Sequence, residues 1–177
     1  MALEVLIQPF SYVRRGTTHH SQNVVATKPG RSEMTVIIGA HYDSVSRGKG
    51  AGENATGVGV MLEAASLLKN VPTYATVKFV AWGAEEAGLR GSYYYVSQMS
   101  QEEICATVAY INLDMVGIWD HFHVYAARNG DTWVRDMALE IGRNQGMDIR
   151  TTPATPPGSA LQVTGAITWH SVTWVSP

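Results

Sequence analysis

Short apolar runs alternate with longer amphipathic segments along this chain. Continuous apolar runs such as TVIIGA, VKFVAW and VAYINL are typical of strands covered on both faces. Apolar residues recur at helical spacing after residue 54, which predicts an amphipathic helix there. The predicted strands are 3–10, 23–27, 35–40, 77–82, 108–113, 122–126 and 165–169. The predicted helices are 54–68, 88–99 and 131–144. A polar loop carrying His19 and His20 is expected between the first two strands, and a Pro-rich loop at 151–159.

This alternation favours one α/β domain over residues 1–177. We expect three layers, α/β/α, around a mixed and mostly parallel sheet, because strands that alternate with helices usually pair in parallel. In the last helix, Asp131 is the predicted N-cap and Gly146 the predicted stop. Functional residues of such folds belong at the carboxyl ends of the strands, where the loops meet.

Composition excludes several classes of function. Of the residues 45% are hydrophobic and 16% charged, with a formal net charge of −2 and no basic stripe, so nucleic acid is not an expected partner. No apolar run reaches the length of about 18 residues that a membrane span needs. The single cysteine, Cys105, excludes an intrachain disulfide and a cysteine-based zinc site, and we expect it to be buried. Compartment (secreted with its signal removed, or cytoplasmic) and oligomeric state stay open.

Acidic and imidazole side chains follow several predicted strands or begin the first helix. They are His41, Asp43, Glu53, Glu85, Glu86 and Asp114. Carboxylates that converge with an imidazole repel one another unless a cation lies among them. A set of His, Asp and Glu without cysteine suits zinc in a hydrolytic site. Asp43 lies two residues beyond His41 and is expected to hold the second ring nitrogen of that histidine.

Four segments carry a resemblance to a known family. GAHYDSV, GAGENATGVGVMLEAA, FVAWGAEEAGLRGS and INLDMVG resemble, in order, the motifs of the M28 family of zinc peptidases, over roughly residues 3–130. The resemblance implies a zinc-peptidase fold and an aminopeptidase that acts on peptides. It also implies one role for each matched residue: His41 and Asp114 as ligands of the first zinc, Asp43 as the partner of His41, Glu53 as the bridging carboxylate, Glu86 as a ligand of the second zinc, and Glu85 as general base.

Two departures from the family pattern affect the second zinc site. Glu53 stands where the family has aspartate, and its extra methylene moves the carboxylate by about 1.5 Å. The family's last ligand is a histidine in a Gly-Ser-Asp-His segment, whereas here Ser159 runs directly into Ala160. We therefore expect a domain that is shortened or has a deletion near 159–160, with one sound zinc site and one doubtful site. His170 is an alternative source of the missing ligand.

Two alternative functions remain at this stage. One is a catalytically impaired relative that binds a peptide or a partner, which the changed residue 53 and the absent Asp-His segment favour. The other is glutaminyl cyclase activity, which resembles the same fold with one zinc. That family also uses a terminal histidine ligand, so the absence of this histidine counts against it. The histidine pairs His19-His20 and His121-His123 are interpreted as solvated loop or edge-strand residues.

Overall fold

The computed structural model describes residues 3–118, 120–126 and 132–151, and the backbone of 161–165. Within these residues, eight strands form one sheet in the order β1-β2-β4-β3-β5-β8-β6-β7. Their bounds are β1 Glu4–Arg14, β2 Thr17–Lys28, β3 Thr35–His41, β4 Thr76–Trp82, β5 Thr107–Leu113, β6 Phe122–Ala126, β7 Ile149–Arg150 and β8 Leu161–Gly165. The sheet is mixed. Strands β4, β3 and β5 run parallel at its centre, whereas β1–β2, β2–β4 and β5–β8 are antiparallel pairs.

Helices cover both faces of the sheet, as the α/β/α prediction requires. Their bounds are α1 Thr56–Leu68, α2 Arg90–Gln98, α3 Gln101–Ala106 and α4 Trp133–Asn144. On one face, Met61 of α1 packs in a buried cluster with Phe79 of β4. On the other face, Tyr95 of α2 packs with Val80 and Trp82 of the same strand. Successive side chains of a strand point to opposite faces, so β4 contributes to both layers. No helix of the described residues is long and apolar enough to cross a membrane.

The predicted polar loop around His19 and His20 is wrong. Strands β1 and β2 continue toward each other until only Arg15 and Gly16 separate them, with φ of 50° and 77°. Two positive φ values in a two-residue loop match the twist of a hairpin. Both histidines lie in β2, where His19 stacks on Tyr12 and His20 bonds Ser11. The ribbon is largely exposed at this end, so no apolar alternation marked it as strand.

Three smaller differences concern the other predicted elements. Helix α3 was not predicted, although Ser100 and Glu103 form a capping box with the S-x-x-E spacing that signals a helix start. Cys105 on this helix is exposed, not buried, because Ile104 is the residue that faces the core. Residues Leu161–Gly165 form the strand that pairs with β5, and residues 166–169 of the predicted last strand lie outside the described part.

The bounds of α4 agree with the prediction at its C-terminus. Gly146 has φ of +72° and its N–H bonds the carbonyl of Arg143, while Met147 N–H bonds Gly142. This is the left-handed turn that commonly ends a helix at glycine. At the other end Thr132 occupies the N-cap position, and Asp131 lies outside the described residues.

Candidate metal centre

The ends of β3 and β5 bring three predicted ligands together. His41 is the last residue of β3, Asp114 follows β5, and the two strands pair in parallel, so both residues lie at the same edge of the sheet. Glu53 reaches this edge from the turn Ala51–Ala55 that precedes α1, in which Glu53 itself has a non-helical backbone. Nε2 of His41 is 2.6 Å from Oε1 of Glu53 and 3.6 Å from Oδ1 of Asp114. One ligand atom from each of the three residues lies within 4.8 Å of the others.

The donor set of this cluster fits a divalent cation. Oδ1 of Asp114 is buried and accepts no hydrogen bond from the residues that the structure describes. A buried carboxylate oxygen without a donor is costly, and a cation among these three side chains would satisfy it. The imidazole of His41 is itself only 2% exposed. One nitrogen and two carboxylates, without thiolate, form a ligand set that zinc accepts in hydrolytic enzymes.

The pKa values of the cluster also indicate that a positive charge stabilises it. Burial alone disfavours the imidazolium of His41, but Asp114 and Asp43 outweigh it and raise the pKa of this histidine to about 11. The pKa of Glu53 is raised by burial and by the nearby charge of Asp114. The proton on His41 therefore supplies positive charge to the carboxylates, which a bound cation would supply in its place.

Asp43 holds two loops, in a manner that differs in part from the prediction. The ring nitrogen Nδ1 of His41 donates to the backbone carbonyl of Asp43 at 3.0 Å, while the nearer carboxylate oxygen lies 3.7 Å away. The carboxylate instead accepts the backbone N–H groups of Glu85 at 2.9 Å and Glu86 at 3.2 Å. Burial opposes ionisation of Asp43, but the nearby imidazole of His41 and the bonds from these N–H groups outweigh burial and lower the pKa of Asp43.

Glu85 and Glu86 lie on the loop that follows β4. Ala84, just before them, has φ of +54°, which turns the chain sharply at the strand end. Burial, together with the charges of Asp114, Glu86 and Asp43, outweighs the attraction of His41 and raises the pKa of Glu85 to about 7. A carboxyl group that ionises near neutral pH is suited to accept and return a proton.

Glu86 does not join the cluster of His41. Among the described residues, its carboxylate belongs to no group of three ligand atoms within 4.8 Å. Its assignment to a second zinc stays a prediction. Ser159, where the Asp-His segment is absent, and His170 both lie outside the described residues, so the expected deletion near 159–160 also stays a prediction.

Sequence reasoning missed two buried asparagines behind these loops. Asn54 is 2% exposed and follows Glu53 through a cis peptide bond. Asn23 on β2 is fully buried, and its side chain accepts the N–H of Gly83 and donates to the carbonyl of Gly91. Asn23 thus joins the end of β4 to the start of α2. The long-range partners of the two asparagine side chains lie 59 to 68 residues away along the chain. No local sequence pattern shows contacts at that separation.

Known proteins resemble this chain in sequence and in fold. Aminopeptidase YwaD of Bacillus subtilis is 43% identical over 104 residues, which are 57% of this chain and 23% of that protein. The probable lipoprotein aminopeptidase LpqL of Mycobacterium tuberculosis is 37% identical over 142 residues, 79% of this chain and 26% of that protein. The chain therefore spans about a quarter of the length of these curated relatives.

Solved structures also resemble this chain in fold. BSAP, a zinc aminopeptidase from Bacillus subtilis, matches with a TM-score of 0.72 and 31% identity over 82% of this chain and 40% of that chain. A glutaminyl cyclase from an Acidobacteriales bacterium matches with a TM-score of 0.74 over 85% of this chain and 58% of that chain. Its 16% identity indicates a shared fold alone. The model of peptidase family M28 matches residues 23–159, which include all six predicted site residues. The chain belongs to peptidase family M28.

Proposed function

We propose that this chain is a zinc-dependent aminopeptidase domain that hydrolyses the N-terminal peptide bond of its substrate. One observation carries the proposal: His41, Glu53 and Asp114 converge around a buried carboxylate oxygen that lacks a donor. The aminopeptidases that the chain resembles, among them the zinc enzyme BSAP, support the reaction class. Zinc held by the three side chains would supply Lewis acidity to a water molecule and to the scissile carbonyl.

The residues of the chain itself account for the proton transfers. Glu85 takes a proton from the attacking water as the water adds to the carbonyl carbon. As the C–N bond breaks, Glu85 passes this proton to the leaving amine. Its pKa of about 7 suits both transfers at neutral pH. Asp43 orients His41 through its backbone carbonyl and fixes the loop of Glu85 through its carboxylate.

We propose one zinc site, held by His41, Glu53 and Asp114, and a second zinc site that is incomplete. Glu86, with Glu53, is the proposed protein contribution to a second ion, and the absent Asp-His segment after Ser159 leaves that ion short of ligands. A catalytically impaired relative that binds peptides is the alternative that this shortage favours. Cyclase activity has no support beyond the shared fold, since the cyclase is only 16% identical.

Removal and return of zinc tests the proposal. The purified chain is incubated with a chelator, freed of it by gel filtration, and assayed on leucine p-nitroanilide before and after zinc is added back. We expect hydrolysis to be lost with the metal and restored by zinc. A folded chain that binds zinc and shows no hydrolysis of leucine, alanine or methionine p-nitroanilides would support the impaired relative instead.

A further inference from the structure

Asn54 is a buried residue that links two candidate metal ligands, Glu53 and Asp114, through backbone groups beside them. Its side-chain amide donates to the carbonyl of Leu113 at 2.9 Å, and its side-chain oxygen accepts the N–H of Met115 at 3.1 Å. Leu113 and Met115 are the two neighbours of Asp114 in sequence. A single side chain therefore bonds the backbone on both sides of Asp114, while its own backbone is directly bonded to Glu53.

The same oxygen also fixes the start of α1. It accepts the N–H of Gly57 at 3.1 Å, so all three bonds of the Asn54 side chain go to backbone groups. Gly57 makes this approach possible, since a Cβ there would lie 2.4 Å from the Asn54 oxygen and 2.4 Å from the carbonyl of Leu113. The helix start and the end of β5 are thus in contact through Asn54, and neither can shift without breaking its bonds.

The chemistry of an amide suits this position. Asn54 donates with one end and accepts with the other, and it adds no charge beside carboxylates that already repel one another. An aspartate here would place an acceptor against the carbonyl of Leu113. Outer residues that fix the orientation of metal ligands commonly decide how tightly a site holds its metal.

We infer that Asn54 is a positioning residue that couples Glu53 to Asp114 and sets the spacing of their carboxylates for zinc. The inference rests on the proposed function only in taking zinc as the ion of this site. It goes beyond that function by assigning the spacing of the two ligands to a side chain that does not touch the metal.

Zinc affinity of Asn54→Ala, measured by competition with a chromophoric chelator, tests the inference. We expect the affinity to fall by about 10- to 100-fold, the usual effect of losing an outer residue behind metal ligands. The control is Val124→Ala, which opens a cavity in the core beneath α4, where Val124 packs with Ala109 and Val134. Val124→Ala is expected to lower the stability and leave zinc affinity unchanged, which separates positioning from a general loss of packing.

The wild-type chain supplies a second measurement that does not depend on the folding of a variant. Coupling is reciprocal, so zinc bound by Glu53 and Asp114 should slow amide hydrogen exchange at Met115 and Gly57. The N–H of Ser32, bonded to Tyr74 at the opposite edge of the sheet, serves as the reference and should change less.

The outcomes separate this inference from the proposed function. Equal zinc affinity in Asn54→Ala and wild type, or exchange at Met115 and Gly57 that zinc does not slow, overturns the inference and leaves the proposed function standing. A wild-type chain that binds no zinc overturns the proposed function, and the inference with it.

Discussion

The carboxylate of Asp43 accepts a hydrogen bond at 2.9 Å from the backbone N–H of Glu85, and the second oxygen accepts that of Glu86. Asp43 follows β3 and Glu85 follows β4, so this contact joins the two loops at the carboxyl edge of the sheet. The same Asp43 holds His41 through its backbone carbonyl. One residue therefore fixes a candidate zinc ligand and the proposed general base relative to each other.

Asp43→Asn tests this double contact. The amide keeps the size of the carboxylate but turns one acceptor into a donor, which then faces the N–H of Glu85 or Glu86. We expect the free energy of unfolding to fall by about 1 kcal/mol, the low end of the cost of a hydrogen-bonding group left without a partner, because Asp43 is only partly buried. Hydrolysis should fall as well, because the loop of Glu85 loses its anchor. Urea unfolding and the leucine p-nitroanilide assay measure the two effects.

Asp148→Asn is the matched control for that substitution. Asp148 pairs with Arg150 on the exposed surface, where ion pairs contribute little to stability. We expect its unfolding curve and its hydrolysis to match wild type. Equal losses in the two variants would contradict the role given to Asp43.

Two glycines of α1 provide a direct test of the packing around Asn54. At Gly57 a Cβ would lie 2.4 Å from both the Asn54 oxygen and the Leu113 carbonyl, whereas at Gly59 it would meet nothing within 4 Å. Gly57→Ala is expected to destabilise the chain by about 1–3 kcal/mol, as overpacking does. Gly59→Ala should be stabilising by about 0.5–1 kcal/mol, since alanine is the better helix former. Thermal unfolding of the pair would count against this packing if both substitutions had the same effect.

The number of tightly bound zinc ions tests the expectation of one sound site. We expect one zinc per chain after gel filtration, measured by mass spectrometry of the metal. His41→Ala should lose it, because this imidazole is the only nitrogen ligand in the described cluster. Glu86→Gln should retain it, because Glu86 lies outside that cluster. Two tightly held ions in the wild-type chain would show that the second site is complete.

Zinc binding should depend on pH in a defined direction. Before zinc binds, the pKa of His41 is about 11, so its imidazole is protonated at pH 7 to 9, whereas an imidazole that binds zinc must be neutral. Binding therefore releases this proton, and zinc affinity should rise as the pH rises toward 11, by up to about tenfold per pH unit from this group. Calorimetric titrations in two buffers of different ionisation enthalpy measure the released protons. An affinity independent of pH between 7 and 9 would contradict the pKa given for His41.

The sequence predicts the centre of the fold better than its margins. The runs at β3, β4 and β5 are continuous and apolar because helices cover both faces, and the structure confirms all three strands. The β1–β2 ribbon extends beyond that cover, so His19 and His20 looked like loop residues although cross-strand bonds hold them in β2. Helix α3 is only six residues long, too short for a hydrophobic period to reveal it.

Part of the candidate site could likewise be predicted from the sequence, and part of it could not. His41, Glu53 and Asp114 were predictable because each follows a strand or begins a helix, and parallel strands bring such ends to one edge. The roles of Asn54 and Asn23 were not predictable from spacing, since both act through backbone groups far along the chain. The bond from His41 to the carbonyl of Asp43, in place of the expected carboxylate, depends on how the turn after β3 is built, which residue types alone do not determine.

Hydrolysis of leucine p-nitroanilide by zinc-loaded wild type, Glu85→Gln and Glu102→Gln tests the central claim most directly. Both substitutions remove one carboxylate charge at constant size, but Glu102 lies exposed on α3, away from the candidate metal centre. We predict clear turnover in wild type and in Glu102→Gln, and a loss of about 100-fold or more in Glu85→Gln, the range for a missing general base. Turnover in Glu85→Gln equal to that of wild type would contradict the account.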